Sequence, residues 1–520
     1  MRYLPYVFLW LLLSCSDDGI DWSLDEEHME PWNYREIPDS MGRRYGVRWQ
    51  KDNPDDLGER CFGATGLCAR FGVGKSPGAS DFDQLYPWSQ IQRCNIMKEG
   101  NNTIIIFDND PQFRIDGSNG DVFVRIPKFY VEKYQEDGYE YRVISAKGQH
   151  PHPAFIENGH DLDAVYVSAF EGYIDNDSVL RSIADVIPTS NISAQQFLDA
   201  AHRRGPGYTL YDMRTVDMLY TLIAVEFGCR NTGAIFGHGI ANYRQPIEEE
   251  WDYHRYFYST RSQQATNTFV TRKRYNQIIS KGSSICICKG DQRNILTFAH
   301  CLNVKDKGDE TYYYFDGPSI DIDTDCFIGN CAQVTNWTET CSAPHLSYTG
   351  RANMMEADFL PRERNPMRYR WMENIVGNIW HYLPDITLYN QQLYHCSNMS
   401  DYRFGGHDGA YQPIGFPLTL NTDNGTHYDT KGRNCWVTTL MPDTACQGIA
   451  LGNDYDRNLN STQAFGAYYY AGNGLCIAVN GGGFDHVSRC NLLTTRLWDA
   501  PNIRWHLYGA RLLFKDIEAQ

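Results

Sequence analysis

Side chains able to carry chemistry are spread thinly along this sequence, and their spacing limits what they can do. His486 and Cys490 lie four positions apart near the C-terminus, and an imidazole with a thiolate is a ligand pair for a soft transition metal. No third ligand is implied beside them, and a single thiol cannot supply the two-thiolate site that Cu(I) favours. His150 and His152 form an H-x-H pair in Gly148-Gln149-His150-Pro151-His152-Pro153, where two prolines fix an extended chain suited to metal ligation. Asp321, Asp323 and Asp325 alternate like calcium-loop ligands. The sixth position is Cys326 instead of glycine and the twelfth is Ala332 instead of glutamate, so a solvated acidic turn is the better reading. Gly237-His238-Gly239 is too short to cradle phosphate and lacks the lysine or hydroxyl that would follow. No His-Glu-x-x-His helix occurs. The residues therefore assign no catalytic group, no cofactor and no metal ligand, and structural calcium has no locatable ligand set.

Recognition chemistry concentrates in residues 473–514. An alternating apolar run, Leu475, Ile477 and Val479, leads into three glycines, Gly481 to Gly483, and the stretch closes on Leu512, Leu513 and Phe514. Two strand-like segments thus bracket an irregular middle, 484–507, with neither a helical nor a strand period. That middle carries Asp485, His486, Arg489, Asn491, Arg496, Trp498, Asn502, Arg504, Trp505 and His506. Tryptophan, arginine and asparagine give large contacts and adaptable hydrogen bonds, and irregular segments fixed between strands are where binding surfaces usually sit.

The frame over residues 480–514, N-G-G-G-F … W … Y-G-A-R-L-L-F, resembles the C-terminal signature of the formylglycine-generating-enzyme branch of the C-type lectin fold. Within that branch it is most similar to the variable proteins of diversity-generating retroelements and related phage and gut-bacterial surface proteins. A second block, YRWMENIVGNIW at 369–380, resembles the branch's core motif, although His381-Tyr382 stands where the enzymes usually carry Glu-Trp. A third, residues 124–130 with His152-Pro153-Ala154-Phe155 and 166–172, is similar to the start of the same domain and makes His152 a packing residue. The blocks keep their order over most of residues 41–514.

The resemblance implies an α+β fold, C-type-lectin-like, with two helices, an antiparallel sheet, long ordered loops and a β-rich insertion. It implies ligand contacts at Asp485, His486, Arg489, Asn491, Leu492, Thr494, Arg496, Trp498, Asn502, Ile503 and Arg504. Retroelement variation rewrites template adenines, and asparagine codons so rewritten reach Asp, His, Arg, Leu, Thr and Ile. They do not reach Trp, so Trp498 came from another codon or never varied. The enzymes of the branch place a copper-binding cysteine pair past their Gly-Gly-Ser-Phe, whereas this region offers Cys490 alone. The expectation is therefore a binding protein and not an enzyme.

At the other end, Met1-Arg2 precedes an apolar run over residues 3–13, and Leu12-Leu13-Ser14-Cys15 has the form of a bacterial lipobox. The run is shorter than the roughly 20 residues that span a bilayer, so residues 1–15 read as a lipoprotein signal peptide with Cys15 as the acylated residue. Ser16-Asp17-Asp18 resembles the acidic export tag of surface lipoproteins in the Bacteroides group, which implies lipid-anchored display on the outer membrane. Residues 16–40 are acidic and poor in aliphatics, as suits a tether. Sixteen cysteines less an acylated Cys15 leave an odd number, so at least one is unpaired or joins another chain. A net charge of −17 disfavours nucleic acid as a partner, and the only membrane contact expected is the lipid anchor.

Periodicity places the elements that must position these residues. Strands are expected at 103–108, 121–133 and 139–145, the last two joined by a turn at Glu136-Asp137-Gly138. Ser193 with Gln196 is a capping box for a helix stopped by Gly205-Pro206, and a second helix is expected from Thr215 to Phe227, ended by Gly228. The lectin-like domain then runs over 41–255 and 346–515, split by a β-rich insertion at 256–345 with strands at 268–272, 283–288, 294–299, 311–315 and 318–322. Residues 383–470, rich in glycine, asparagine and tyrosine, are expected as ordered loops beside the 484–506 surface.

The expected function is a surface-displayed receptor or adhesin that binds a protein or glycan on another cell or phage. Two rivals stand beside it: a fixed, tail-fibre-like structural adhesin, and an oxidase of the formylglycine-generating type that has lost its cysteine pair.

Overall fold

A computed structural model describes residues 42–69, 80–100, 102–241, 257–273, 279–336, 366–414, 436–440, 449–456, 463–466, 468–470, 474–484 and 490–517. Cys15, the acidic tether, Asp485, His486 and Arg489 lie outside them. The described chain is mostly antiparallel sheet with three α-helices, a β-rich α+β fold.

The last strand is the keystone. Leu512–Phe514 is fully buried and pairs on one side with Tyr208–Leu210 and on the other with Ala164–Ser168. Asp121–Pro127, Gln92–Glu99 and Asn102–Phe107 extend that sheet to six strands, so the end of the chain sits inside a sheet built from its first half. The segment 121–133, expected as one strand, is two. Pro127 has no N–H to continue the ladder, Lys128 N–H turns to the Asp163 carbonyl, and Tyr130–Glu136 joins a different sheet. There it pairs with Tyr139–Ser145 through a two-residue turn in which Asp137 and Gly138 have φ of 51° and 83°, the twist that tight hairpins require.

A second large sheet carries the C-terminal segment. Trp380–Tyr389 pairs with Gln392–Cys396 and with Leu475–Asn480, which in turn pairs with Thr495–Asp499. Pro384 interrupts the long strand, and its register against Leu475–Asn480 shifts between Leu383 and Thr387.

Helix α1 (Ala194–His202) begins with the expected capping box between Ser193 and Gln196. Helix α2 (Met213–Phe227) begins two residues earlier than expected, because the Asp212 carboxylate accepts the Thr215 N–H. It ends at Gly228 in the left-handed conformation, φ 64°. Every residue of α2 is buried. Its charges are tolerated because each is paired inside. Asp217 meets Lys133, Arg142 and His152 at 2.7, 2.9 and 3.0 Å, Arg214 meets Glu157 at 3.2 Å, and Glu226 meets Arg370 at 2.6 Å. Helix α3 (Thr232–Phe236) is a short turn after Asn231 that sequence periodicity did not signal.

Residues 257–330 form a six-stranded sheet around their own apolar cluster, which includes Phe269, Ile287, Tyr313 and Ile328. The strands Thr268–Arg272, Ser284–Lys289 and Glu310–Phe315 fall close to expectation, while the one expected at 294–299 runs on as Asp291–Lys307. Ser259 N–H bonds Cys326 C=O and Thr260 N–H bonds Val270 C=O, which brings the two ends of the sheet together as a nearly closed barrel. A change in hydrogen bonding fastens the barrel's exit to the main body: Val186 and Thr335 exchange backbone and hydroxyl bonds, and Gln333 N–H donates to Asn378 Oδ1 at 2.7 Å.

The keystone strand is locked by a buried charge. Lys515 Nζ lies 3.1 Å from Glu157 Oε2 and 3.2 Å from Asp212 Oδ2, with all three side chains buried. Replacing Lys515 with Met leaves both carboxylates short of a cation, and a broken buried pair costs about 3–5 kcal/mol. The urea midpoint of Lys515→Met should therefore fall well below that of the unaltered chain; an unchanged midpoint would show that Arg214 alone satisfies both carboxylates.

Candidate functional site

The C-terminal segment leaves the sheet at Asn480 and re-enters it as Thr495–Asp499. Asn480 pins the return: its Nδ2 donates to the carbonyls of Leu492 and Thr494 at 2.9 and 3.0 Å. Gly481 N–H donates to the Thr494 carbonyl at 3.0 Å. Gly482 has φ +88°, and a Cβ there would stand 2.4 Å from the Cys490 sulfur, so only glycine lets the returning chain pass this close. Cys490 is buried beneath the turn, its thiol directed at the Gly483 carbonyl at 3.3 Å.

Asn491 does not face solvent. Its Oδ1 accepts from Thr232 Oγ at 2.6 Å and its Nδ2 donates to Asn231 Oδ1 at 3.1 Å, which ties the loop to the cap of α3. Leu492 and Thr494 are fully buried. These three expected contact residues belong to the interior. Their polar or adenine-reachable types suggested surface, but the amide of Asn491 finds its partners inside, where a buried polar group must be paired. His238, from the Gly-His-Gly stretch, completes this support, with Nδ1 2.9 Å from the Cys490 carbonyl.

Five expected contact residues are placed at the surface. Asn502 and Arg504 are exposed, and Arg496, Trp498 and Ile503 are half-buried. Arg496 Nε donates to Asp499 at 2.8 Å while its guanidinium lies 5.4 Å from the centre of the Trp505 ring. Tyr508 also donates to Asp499, and Ile503 N–H closes a turn on the Ala500 carbonyl at 3.0 Å. Arg496 and Trp505 are thus held in fixed orientation, leaving Trp498, Asn502 and Arg504 beside them. The remaining three, Asp485, His486 and Arg489, are outside the described residues.

The neighbouring loop 402–411, within the 383–470 stretch expected beside this surface, does lie against it. A Cβ on Gly405 would touch Leu475 and Pro501 at 3.0 Å, so this loop abuts the 500–504 turn. His407 stacks on Tyr389 with ring centres 4.0 Å apart. The Gly405-Gly406 pair was the available signal, but nothing in the sequence says which distant turn it meets.

Beneath the surface, Glu171 organises the floor. Its carboxyl accepts from the side-chain amides of Asn378 and Asn374, and the Asn378 carbonyl receives Phe484 N–H at 3.0 Å, just before the loop departs. His381 Nε2 lies 3.5 Å from Glu171. Burial keeps that imidazole neutral, well below its ordinary value, and burial pushes the Glu171 carboxyl up to about 8.

The other residues with metal-ligating types are dispersed. His152 is buried against Asp217 while His150 is exposed, so the H-x-H pair is split. Asp323 pairs with Lys289 at 2.5 Å and Asp321 accepts the Ala265 N–H at 2.9 Å. Among the described residues, no group of three or more His, Cys, Asp or Glu is arranged to hold a metal ion.

No protein-family model matches the sequence, and no curated protein matches it.

The raised Glu171 value has a signed consequence. Between about pH 4.5 and about 8 the native carboxyl holds a proton that the unfolded chain releases, so its contribution to stability is present below that window and is lost as pH rises through it, by up to about 1.4 kcal/mol per pH unit. Glu171→Gln keeps the shape and removes the titration. Its urea midpoint should depend less on pH across this window than that of the unaltered chain; parallel pH profiles would refute the assignment.

Proposed function

We propose that this chain is a surface-displayed, lipid-anchored receptor that binds a protein or glycan through its C-terminal surface, and that its core has the formylglycine-generating-enzyme type of C-type lectin fold. The observation that carries the reading is the division of residues 490–504. Asn491, Leu492 and Thr494 are held inside by amide and apolar contacts, whereas Arg496, Trp498, Asn502, Ile503 and Arg504 reach the surface of the same frame. A segment whose first part is fixed in the interior can change its outer residues at little cost to folding, which is what a diversified binding surface needs.

The fold assignment draws on the three motif blocks. Residues 124–127 pair with 164–167, the 166–167 positions pair with 513–514, and 380–381 pair with 508–509. The blocks that carry the resemblance thus pack against one another. The burial of Cys490 under Gly482 favours binding over the oxidase chemistry of the enzymes, which requires an accessible pair of thiolates.

DNA flanking the gene tests the proposal. It should contain an imperfect repeat of the C-terminal coding segment beside a reverse transcriptase, with template adenines at the codons for Asp485, His486, Arg489, Asn502, Ile503 and Arg504. Adenine substitutions falling as often on Leu492 and Thr494 would contradict the assigned contact surface. A locus without such a repeat would remove diversification and leave the fixed adhesin.

A further inference from the structure

The barrel of residues 257–330 turns one three-stranded face outward, and its side chains fall into rows. By register, Thr268, Tyr314 and Asn303 form one row, Val270, Tyr312 and Lys305 the next, with Val270 itself buried, and Arg272, Glu310 and Lys307 the third. The alternate residues Phe269 and Tyr313 are buried in the barrel core. Arg272, Lys305 and Lys307 are exposed, as is Arg261, whose guanidinium pairs with Glu310. Lys307 Nζ stands 4.4 Å from the centre of the Tyr312 ring, with the Arg261 guanidinium 5.9 Å from the same ring, and Lys305 Nζ lies 6.0 Å from Tyr314. The tyrosines therefore hold the cations in a fixed array by attraction to the ring faces.

Among the described residues Arg272, Lys305 and Lys307 make no ion pair, whereas Lys273 and Asp306 neutralise each other at 3.0 Å. A register shift between Cys301 and Asn303 turns Leu302 outward, 52% exposed, beside the first row. In a chain of net charge −17, this face sets four cations against one carboxylate. It is a local reversal of sign.

We propose that this face docks an acidic polysaccharide, carboxylated or sulfated, with Arg272, Lys305 and Lys307 as its anion contacts. Positive charge in an acidic chain fits an anionic partner, and Lys305 and Lys307 recur along one strand at about 7 Å, a repeat that a linear polyanion can follow. Single-stranded nucleic acid fits less well, because stacked bases need open ring faces and Lys307 covers Tyr312. A lipid surface needs a broader apolar face than Leu302 offers. The inference concerns a surface distinct from the C-terminal one and does not rest on the function proposed for it.

The test is binding of the full chain to dextran sulfate and to polygalacturonate across a salt series, beside a single-stranded oligonucleotide and phosphatidylglycerol vesicles. The chain should bind at least one of the polysaccharides with an affinity that falls as salt rises. The double variant K305Q/K307Q should weaken that binding about tenfold or more and reduce the slope of log affinity against log salt by about 2. Its Tm should stay unchanged, since both side chains are exposed, and R272Q should weaken binding in the same direction. Failure to bind either polysaccharide, binding indifferent to these variants, or preference for the oligonucleotide or the vesicles overturns the proposal.

Discussion

The structure depends on placing the end of the chain inside a sheet made by its beginning. Leu512–Phe514 lies between Ala164–Ser168 and Tyr208–Leu210, and Lys515 is fixed immediately beyond by Glu157 and Asp212. An anchor of this kind leaves the preceding residues little freedom. With Trp380–Tyr389 and Leu475–Asn480 also paired, residues 490–511 run between two paired sheets, and their outward side chains are presented from a hydrogen-bonded base. Binding surfaces gain affinity when such order is already present before the ligand arrives.

The interior under that surface carries many polar side chains, and several of them are hydrogen-bonded to the irregular backbone. Glu171 sits among asparagine amides, Asn480 caps two carbonyls of the returning chain, and Asn491 joins the cap of α3. Each amide replaces a stretch of regular ladder that a tight, irregular turn cannot form. Such networks specify one backbone path, because a displaced member strands its neighbours without partners. Irregular loops can then be held as firmly as strands.

Much of the fold was legible in the sequence where the signal is local. The capping box at Ser193 and Gln196, the left-handed stop at Gly228, the hairpin at Asp137 and Gly138 and most barrel strands depend on neighbours in sequence. Legibility failed where distant residues decide. Asp212 reads as an ordinary acid until its carboxylate is seen to cap α2, and the charges on α2 imply an exposed face until Lys133, Arg142 and Arg370 are brought to them. The candidate surface divides in the same way. Asn502 and Arg504 are where a loop reading puts them, but Asn491 is interior because Asn231 and Thr232 arrive from some 260 residues away, and Thr494 is buried with it. The place of the 402–411 loop beside this surface was legible, but its particular contact with Pro501 was not, because that contact is tertiary.

The claim at the centre of this account is that residues 490–504 comprise a fixed frame with replaceable outer side chains. Equilibrium urea unfolding of Asn491→Ala and Asn502→Ala, side by side, tests it most directly. The account predicts that Asn491→Ala loses about 2 kcal/mol, because Asn231 and Thr232 each lose one of their buried hydrogen bonds, and that Asn502→Ala stays within about 0.5 kcal/mol of the unaltered chain. Equal effects from the two asparagines would contradict it.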